Sequence, residues 1–326
     1  MAEFDTVIRG GTIVDGTRVP RYRGDLGIRG GKIAKIGKIG KIGAREAKTE
    51  LDAGGMIVAP GAIDLHTHYD AQLHWDPYCS IGGWHGVTSV TIGNCGFGFA
   101  PVHAKDAERA MLTLSRNESI PLQSMQAAMA FDWETFPQWM DHLDRLPLGV
   151  NLSQLVPVSP LVAYVLGGFD QAKERAPDEG EMRRILTLFH EAMDAGAVGW
   201  SAQRLRGVAS GQRDYDGTLM ISDLLPDDFY LAFARALEER REGFMEFTQF
   251  TAIPNDPSSL TKDFEFNTRL AETSGRPVLY NAVIPDDRKS DVYRAQVAWI
   301  EAANRGGARV FGATQTVRAP ATFTFE

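Results

Sequence analysis

Cysteine is scarce in this 326-residue chain, with Cys79 and Cys95 the two present. Two thiols cannot form the disulfide framework of a small secreted domain, and they suit a reducing compartment, so a cytoplasmic location is expected. Long apolar runs are missing as well. None approaches the ~20 residues of a membrane span, and the opening MAEFDTVIRGG has no secretory-leader pattern. No membrane partner is expected. Positive charge is in deficit, 34 Lys+Arg against 42 Asp+Glu, for a net charge of −8. Phosphate backbones need a basic surface, so nucleic acid is not expected as a partner. Histidine is sparse too: there are seven, and none follows His190.

What remains is ordinary globular material, 44% hydrophobic and 23% charged, which argues against disorder. Residues 1–55 read as a small β module. Phe4–Val14, Asp25–Ile28 and Lys32–Ile36 are short β-type runs, punctuated by Gly10-Gly11, Asp15-Gly16 and Gly30-Gly31. Lys35-Ile36-Gly37, Lys38-Ile39-Gly40 and Lys41-Ile42-Gly43 repeat a triplet. They read as a strand lengthened by local duplication, or as a basic strip of three lysines.

From residue 56 the texture changes to alternating strand and helix. Apolar runs at Met56–Leu65, Val87–Ile92, Val150–Val156, Ala197–Ser201, Gly243–Thr248, Pro277–Ala282 and Arg309–Gly312 predict parallel strands buried on both faces. Amphipathic segments predict helices at Lys105–Arg116, Glu134–Arg145, Glu179–Ala195, Pro226–Glu242, Thr261–Ser274 and Ser290–Arg305. Repeated β-then-α order predicts an α/β fold of the (β/α)8 TIM-barrel type over residues 56–326. The runs supply seven strands, and such a barrel closes with eight.

Chemistry concentrates where the first two of these strands end. In Asp64-Leu65-His66-Thr67-His68-Tyr69-Asp70, strand periodicity sends His66 and His68 to one side. Two neutral imidazoles make good ligands for a divalent metal. Taken alone, a His-x-His is also what two surface histidines look like, but active sites of such barrels lie at the strand C-termini. Cys95 follows the second run inside Gly93-Asn94-Cys95-Gly96 and faces the same end. It is either a small buried hydrophobe or a thiolate ligand. Asp70 is placed to orient a ligand histidine or to cap the next turn. His74, in the loop beyond, is a candidate to touch substrate. The stretch Arg204–Asp223 is long for a loop after a strand and reads as a substrate lid. Arg204 or Arg206 is suited to holding a substrate carboxylate, or to pairing on the surface.

Three stretches carry a resemblance: GGTIVDG, APGAIDLHTHYDAQLHWDP and WHGVTSVTIGNCGFGFAPV. Over residues 4–101 the chain resembles the amidohydrolase superfamily, in its N-acyl-D-amino-acid deacylase (D-aminoacylase) branch. Later segments, VNLSQLVPVSP, DAGAVGWSAQ and SGRPVLYNAV, are similar more loosely. The resemblance implies a metal-dependent barrel carrying a β-sandwich built from both chain ends. It implies zinc, or another divalent metal, on His66, His68 and Cys95, hydrolysing an amide through a metal-activated water. An aspartate after the eighth strand would complete the site as general base. Relatives carry metal-binding histidines after the fifth and sixth strands, whereas 244–249 and 278–282 hold none here, so one metal per site is expected.

The expected function is hydrolysis of a non-peptide C–N bond in an N-acyl amino acid, an amide or a cyclic amide or imide. Asp70 and His74 are the candidate catalytic residues, and Tyr69, Arg204 and Arg206 the candidate substrate contacts. The chain reaches residue 326 without an eighth strand, so a second polypeptide is expected to complete the barrel, in a hetero-oligomer. A non-catalytic subunit that stabilises a partner chain is the alternative. A metal-free Cys95 nucleophile is a third reading.

Overall fold

Turn residues cut the N-terminal part of the chain into short strands that share one sheet. Phe4–Ile13 (β1) pairs antiparallel with Tyr22–Arg29 (β2), and β2 pairs antiparallel with Lys32–Gly37 (β3). Ala47–Asp52 (β4) and Ile57–Val58 (β5) both run parallel to β1. Phe4 and Val7 are buried at the centre of this unit. These are features of a computed structural model that describes residues 3–37, 47–205, 211–249, 258–286 and 290–314. The second and third Lys-Ile-Gly triplets lie outside the described residues, while the first closes β3.

The run Met56–Leu65, expected to be one strand, is two. Ile57–Val58 belongs to the sheet of β1, and Ala62–Asp64 (β6) opens a different one. Pro60, between them, has no N–H to donate to a ladder, which breaks the strand at that point. The chain accordingly divides into units 1–62 and 63–326, so the small module runs past residue 55 to take in β5.

The larger unit follows the expected βα order. After β6 come Ser80–Trp84 (α1), Val87–Ile92 (β7), Ala107–Glu118 (α2), Leu122–Ala128 (α3) and Phe136–Asp144 (α4). Next are Asn151–Gln154 (β8), Val156–Pro157 (β9), Val158–Leu166 (α5), Gln171–Glu174 (α6), Glu179–Asp194 (α7) and Gly199–Gln203 (β10). Ile221–Leu224 (α8), Asp227–Arg240 (α9), Phe244–Thr248 (β11), Ser258–Ser274 (α10), Val278–Asn281 (β12), Ser290–Arg305 (α11) and Val310–Ala313 (β13) complete the order. The strands form two parallel runs, β6-β7-β8 and β9-β10-β11-β12-β13. Leu155 alone separates β8 from β9, and its N–H still bonds Ile92 O at 3.0 Å, so the two runs join there. Among the described residues no strand lies between β13 and β6.

Between strands and helices lies the core. Trp200, Tyr230, Phe233 and Phe247 are fully buried, with Trp200 edge-on to Phe247 at 5.9 Å. Helix α5 was not anticipated, because it is buried on nearly every side and so lacks the polar stripe that marks an amphipathic helix. No described helix is long and apolar enough to cross a membrane.

The loop after β10 is tied to the helix layer by a buried carboxylate. Asp214 accepts from Thr113 Oγ1 at 2.6 Å, and takes Arg109 Nη2 at 2.8 Å and Lys173 Nζ at 2.5 Å. Burial opposes its charge, but Arg109, Lys173 and Thr113 outweigh burial and hold its pKa down at about 2. A carboxylate depressed below its unfolded value of ~3.9 adds stability that is complete above that value. That stability is lost as pH falls through about 2. Asp214→Asn is expected to lower stability by ~3 kcal/mol near neutral pH, as loss of a buried pair does. It is also expected to flatten the decline below about pH 4. Urea midpoints of both proteins across the acid range check this.

Candidate metal centre

Beyond Asp64 the chain stays in register with β7. Thr67 N–H and Thr67 Oγ1 both donate to Thr91 O, at 3.1 and 2.8 Å, which directs His66 and His68 to the same side. After β7 the chain turns over the strand ends through Gly93-Asn94-Cys95-Gly96, all buried. Backbone N–H groups of Ser159 and Phe97 serve Gly96 O and Asn94 O, and side chains from elsewhere take other backbone groups of the turn. Gly93 N–H donates to Asp70 Oδ1 at 3.0 Å and Cys95 N–H to Glu246 Oε2 at 3.0 Å. Gly96 N–H donates to Ser201 Oγ at 3.0 Å, while the Ser201 hydroxyl donates to Gly93 O. Gly93 and Gly96 have φ of +75°, and Cys95 holds +57° despite its side chain.

The result is a three-atom cluster. Cys95 Sγ lies 3.3 Å from His66 Nε2 and 3.6 Å from His68 Nε2, and the three ligand atoms fall within 4.8 Å of one another. A tetrahedral ion with Zn–N near 2.0–2.1 Å and Zn–S near 2.3 Å has S···N edges of about 3.5 Å. The residues therefore fit a divalent metal. His68 is held flat against Phe97, ring centroids 4.9 Å apart at 5°, and edge-on to His66. Neither His66 Nδ1 nor His68 Nδ1 has a hydrogen-bond partner among the described residues.

Negative groups surround the cluster. Glu246 Oε1 stands 3.5 Å from His66 Nδ1, and Glu118 Oε1 stands 3.5 Å from His68 Nε2. Burial disfavours an imidazolium at His66, but Cys95 and Glu246 outweigh it and raise the pKa to about 11. Burial, reinforced by His66, lowers His68 to about 3. Burial also pushes the Cys95 thiol and the Glu118 carboxyl up. Two carboxylates at 3.5 Å from the ligand imidazoles make an electrostatic setting that suits a cation.

The other expected residues are placed differently. Asp70 does not reach a ligand histidine. Its Oδ1 holds Gly93, its Oδ2 has no hydrogen-bond partner among the described residues, and burial raises its pKa to about 7. His74 sits in a 3-10 turn, its Nδ1 at 3.0 Å from Ala71 O and its Nε2 at 3.0 Å from His142 Nε2. His142 in turn bonds Asp132 at 2.7 Å, and Trp133 and Trp139 pack around the pair, so His74 is engaged in the helix layer. Tyr69 is half-buried, with its hydroxyl beside Gly82 of α1. Arg204 pairs with Asp227 at 2.8 Å and lies 4.3 Å over the Phe266 ring. Arg206 lies outside the described residues.

Sequence reasoning missed the groups that β11, β12 and α2 add. Thr248 Oγ1 lies 3.2 Å from Cys95 Sγ, Asn281 Nδ2 donates to Thr248 Oγ1 at 3.1 Å, and Glu118 ends α2. For Glu246 a signal existed: a lone acidic residue inside the apolar run Phe244-Met245-Glu246-Phe247 needs a buried purpose.

With this geometry in hand, similarity to known proteins is informative. Residues 49–297 match the Amidohydrolase family. The D-aminoacylase of Alcaligenes xylosoxydans xylosoxydans is 36% identical over 199 residues, which cover 61% of this chain and 37% of that protein. A solved D-aminoacylase described by its binuclear metal centre, with one-metal activation and second-metal attenuation, superposes with a TM-score of 0.69 at 25% identity. The N-acyl-D-glutamate deacylase of Bordetella bronchiseptica, solved with zinc and a phosphonate mimic of the tetrahedral intermediate, gives 0.69 at 26% identity. Each superposition covers 94% of this chain and 57% of the other. The chain thus spans well under two thirds of the length of these relatives. The likeness extends to the fold, a TIM-barrel-like α/β architecture.

The turn has no room for a further side chain. A Cβ on Gly96 would stand 2.8 Å from Ala202 Cα on β10, and the φ is unfavourable besides. Gly96→Ala is expected to destabilise the chain by about 2 kcal/mol or more, as a methyl at a positive-φ, close-packed position does. It should loosen Cys95 with it. Chemical denaturation, and the rate at which a thiol reagent labels Cys95, read the two effects.

Proposed function

Because the chain belongs to the amidohydrolase family, we propose that it hydrolyses a non-peptide C–N bond at a divalent metal held by His66, His68 and Cys95. The substrate class is an N-acyl amino acid, a small amide or a cyclic amide or imide. The observation that carries this reading is the convergence of two imidazole Nε2 atoms and one sulfur to tetrahedral-edge distances.

When bound, zinc or a similar ion supplies Lewis-acid polarisation of the amide carbonyl and acidifies water. The chain supplies the rest. His66 and His68 present Nε2 atoms from the stretch after β6, and Phe97 fixes the plane of His68. Cys95 would hold the ion as a thiolate, and the carboxyl groups of Glu118 and Glu246, each 3.5 Å from a ligand histidine, would favour a cation there. The ends of β11 and β12 carry Gln249 and Asn281 where further histidines are lacking, which supports one ion per site. Asp70 serves by holding Gly93 in place.

A second polypeptide completing the barrel is the other part of the proposal. It would bring an eighth parallel strand, a general base and the remaining strands of the small module. Two observations support it. Ile63 on β6 and Phe311 on β13 are 64% and 51% exposed, on the two strands that among the described residues have a neighbour on one side only. An apolar cavity of about 560 Å³, lined by Leu65, Phe244, Leu279 and Phe311, opens by the starts of β10, β11 and β12. Unpaired edges of this kind invite pairing with another chain. The two free thiols, Cys79 and Cys95, support a reducing, cytoplasmic setting.

Purified without chelator, the protein should hold one metal per chain, measured by elemental mass spectrometry. His66→Ala or Cys95→Ala should weaken binding by more than the ~10–100-fold typical of an outer-sphere change and abolish hydrolysis of an N-acyl-D-amino-acid panel. An intact assembly with no stoichiometric metal, whose activity survives His66→Ala, replaces the catalytic reading with that of a stabilising subunit. Native mass spectrometry should find the chain with a partner. A stable, soluble 35.8 kDa monomer overturns the second-polypeptide reading.

A further inference from the structure

We infer that Glu246, in the middle of β11, is the positioning residue of the centre, fixing at once the tautomer of His66 and the backbone of Cys95. The inference rests on the metal-centre reading above and goes beyond the three ligands. His66 presents Nε2 to Cys95 Sγ at 3.3 Å and Nδ1 to Glu246 Oε1 at 3.5 Å. A neutral imidazole carries one proton, and if Nε2 is to give its lone pair to an ion the proton must sit on Nδ1. A carboxylate facing Nδ1 accepts from that N–H, holds the proton there and makes Nε2 the better donor.

The other oxygen acts on the second ligand. Glu246 Oε2 accepts the Cys95 N–H at 3.0 Å, and Cys95 is the residue held at a φ of +57°. That hydrogen bond helps keep a side-chain-bearing residue in a conformation it seldom adopts, with its sulfur turned toward the two imidazoles. Thr248 Oγ1 donates to Oε1 at 2.7 Å and so settles which way the carboxylate lies. Glu246 is fully buried, and among the described residues its ionic partner is His66. An anion without Arg or Lys in such a place is unfavourable unless it is fully engaged. Two donors engage it here, Thr248 O–H and Cys95 N–H, and the proton inferred on His66 Nδ1, 3.5 Å from Oε1, makes a third.

An amide of the same shape cannot serve three donors. In Glu246→Gln, one position becomes NH2. If nitrogen faces Cys95, donor meets donor across the strained turn. If it faces His66, the ring must offer a lone pair at Nδ1 and carry its proton on Nε2, the atom needed for the metal.

The test uses the purified full chain, wild type and Glu246→Gln, with Zn2+ and Co2+ as the probes. Affinity is read by chelator competition, thiolate ligation by the near-ultraviolet charge-transfer band of the cobalt form, and the His66 proton by 15N–1H spectra of the zinc form. The wild type should show a hydrogen-bonded proton on His66 Nδ1 and a thiolate band. Glu246→Gln should bind both ions ~10–100-fold more weakly, with the band shifted or lost. Glu246→Asp, one methylene shorter but still an acceptor, should recover part of the affinity. Equal affinity and an unchanged band in Glu246→Gln overturn this inference and leave the metal centre standing. A wild-type chain that takes up neither ion overturns the metal centre, and this inference with it. Should Glu246→Gln fail to fold, the wild-type zinc form decides alone: a proton on His66 Nε2 overturns the assignment, and one on Nδ1 supports it.

Discussion

A short piece of backbone without ladder partners governs this molecule's chemistry. The turn Gly93-Asn94-Cys95-Gly96 is buried, and buried N–H and C=O groups must be satisfied. Three of its N–H groups go to side chains drawn from three separate stretches, Asp70 beyond β6, Ser201 on β10 and Glu246 on β11, while Gly96 O accepts the Ser159 N–H and Asn94 O the Phe97 N–H. The parallel register makes this possible. Ser201 stands opposite Glu246 on the neighbouring strand, so both reach the turn together. The thiol is thereby delivered to the histidines by hydrogen bonds whose partners are set by the barrel's strand order.

The electrostatics follow from the same burial. Placing a thiol, two imidazoles and carboxylates in one enclosed space penalises every charged form that lacks a partner. The two histidines shift in opposite directions, His66 upward and His68 downward. Cys95 and then Glu246 raise His66 against its burial, whereas burial and the neighbouring His66 lower His68, which lies flat on a phenyl ring.

Much of this was legible in the sequence, and the exceptions have physical causes. Apolar runs found β10 and β11, which are buried almost throughout, whereas β6, β8 and β13, also expected to be buried on both faces, carry exposed residues. The same uniformity concealed α5, whose residues are apolar on nearly every side and carry no helical period. It also merged β5 with β6, where Pro60 was the overlooked mark. His66, His68 and Cys95 announced themselves because local motifs end two adjacent strands. Glu246 did not, since it lies 151 residues from the Cys95 amide it supports. Asp70, suited by sequence either to orient a ligand histidine or to cap the next turn, holds Gly93 N–H, a neighbour in space. His74 likewise looked available in a loop and is engaged with His142.

The turn also bears on how this centre can change over evolutionary or engineering time. Asp70, Gly93, Cys95, Gly96, Ser201 and Glu246 are not six independent choices. Each is fitted to the backbone of the same four residues, so replacing one alters the terms on which the others are accepted. They form a single heritable unit dispersed over about half the chain. On the metal-centre reading proposed above, a change of metal preference is expected more readily from positions outside it, such as Glu118 at the end of α2, than from any of the six.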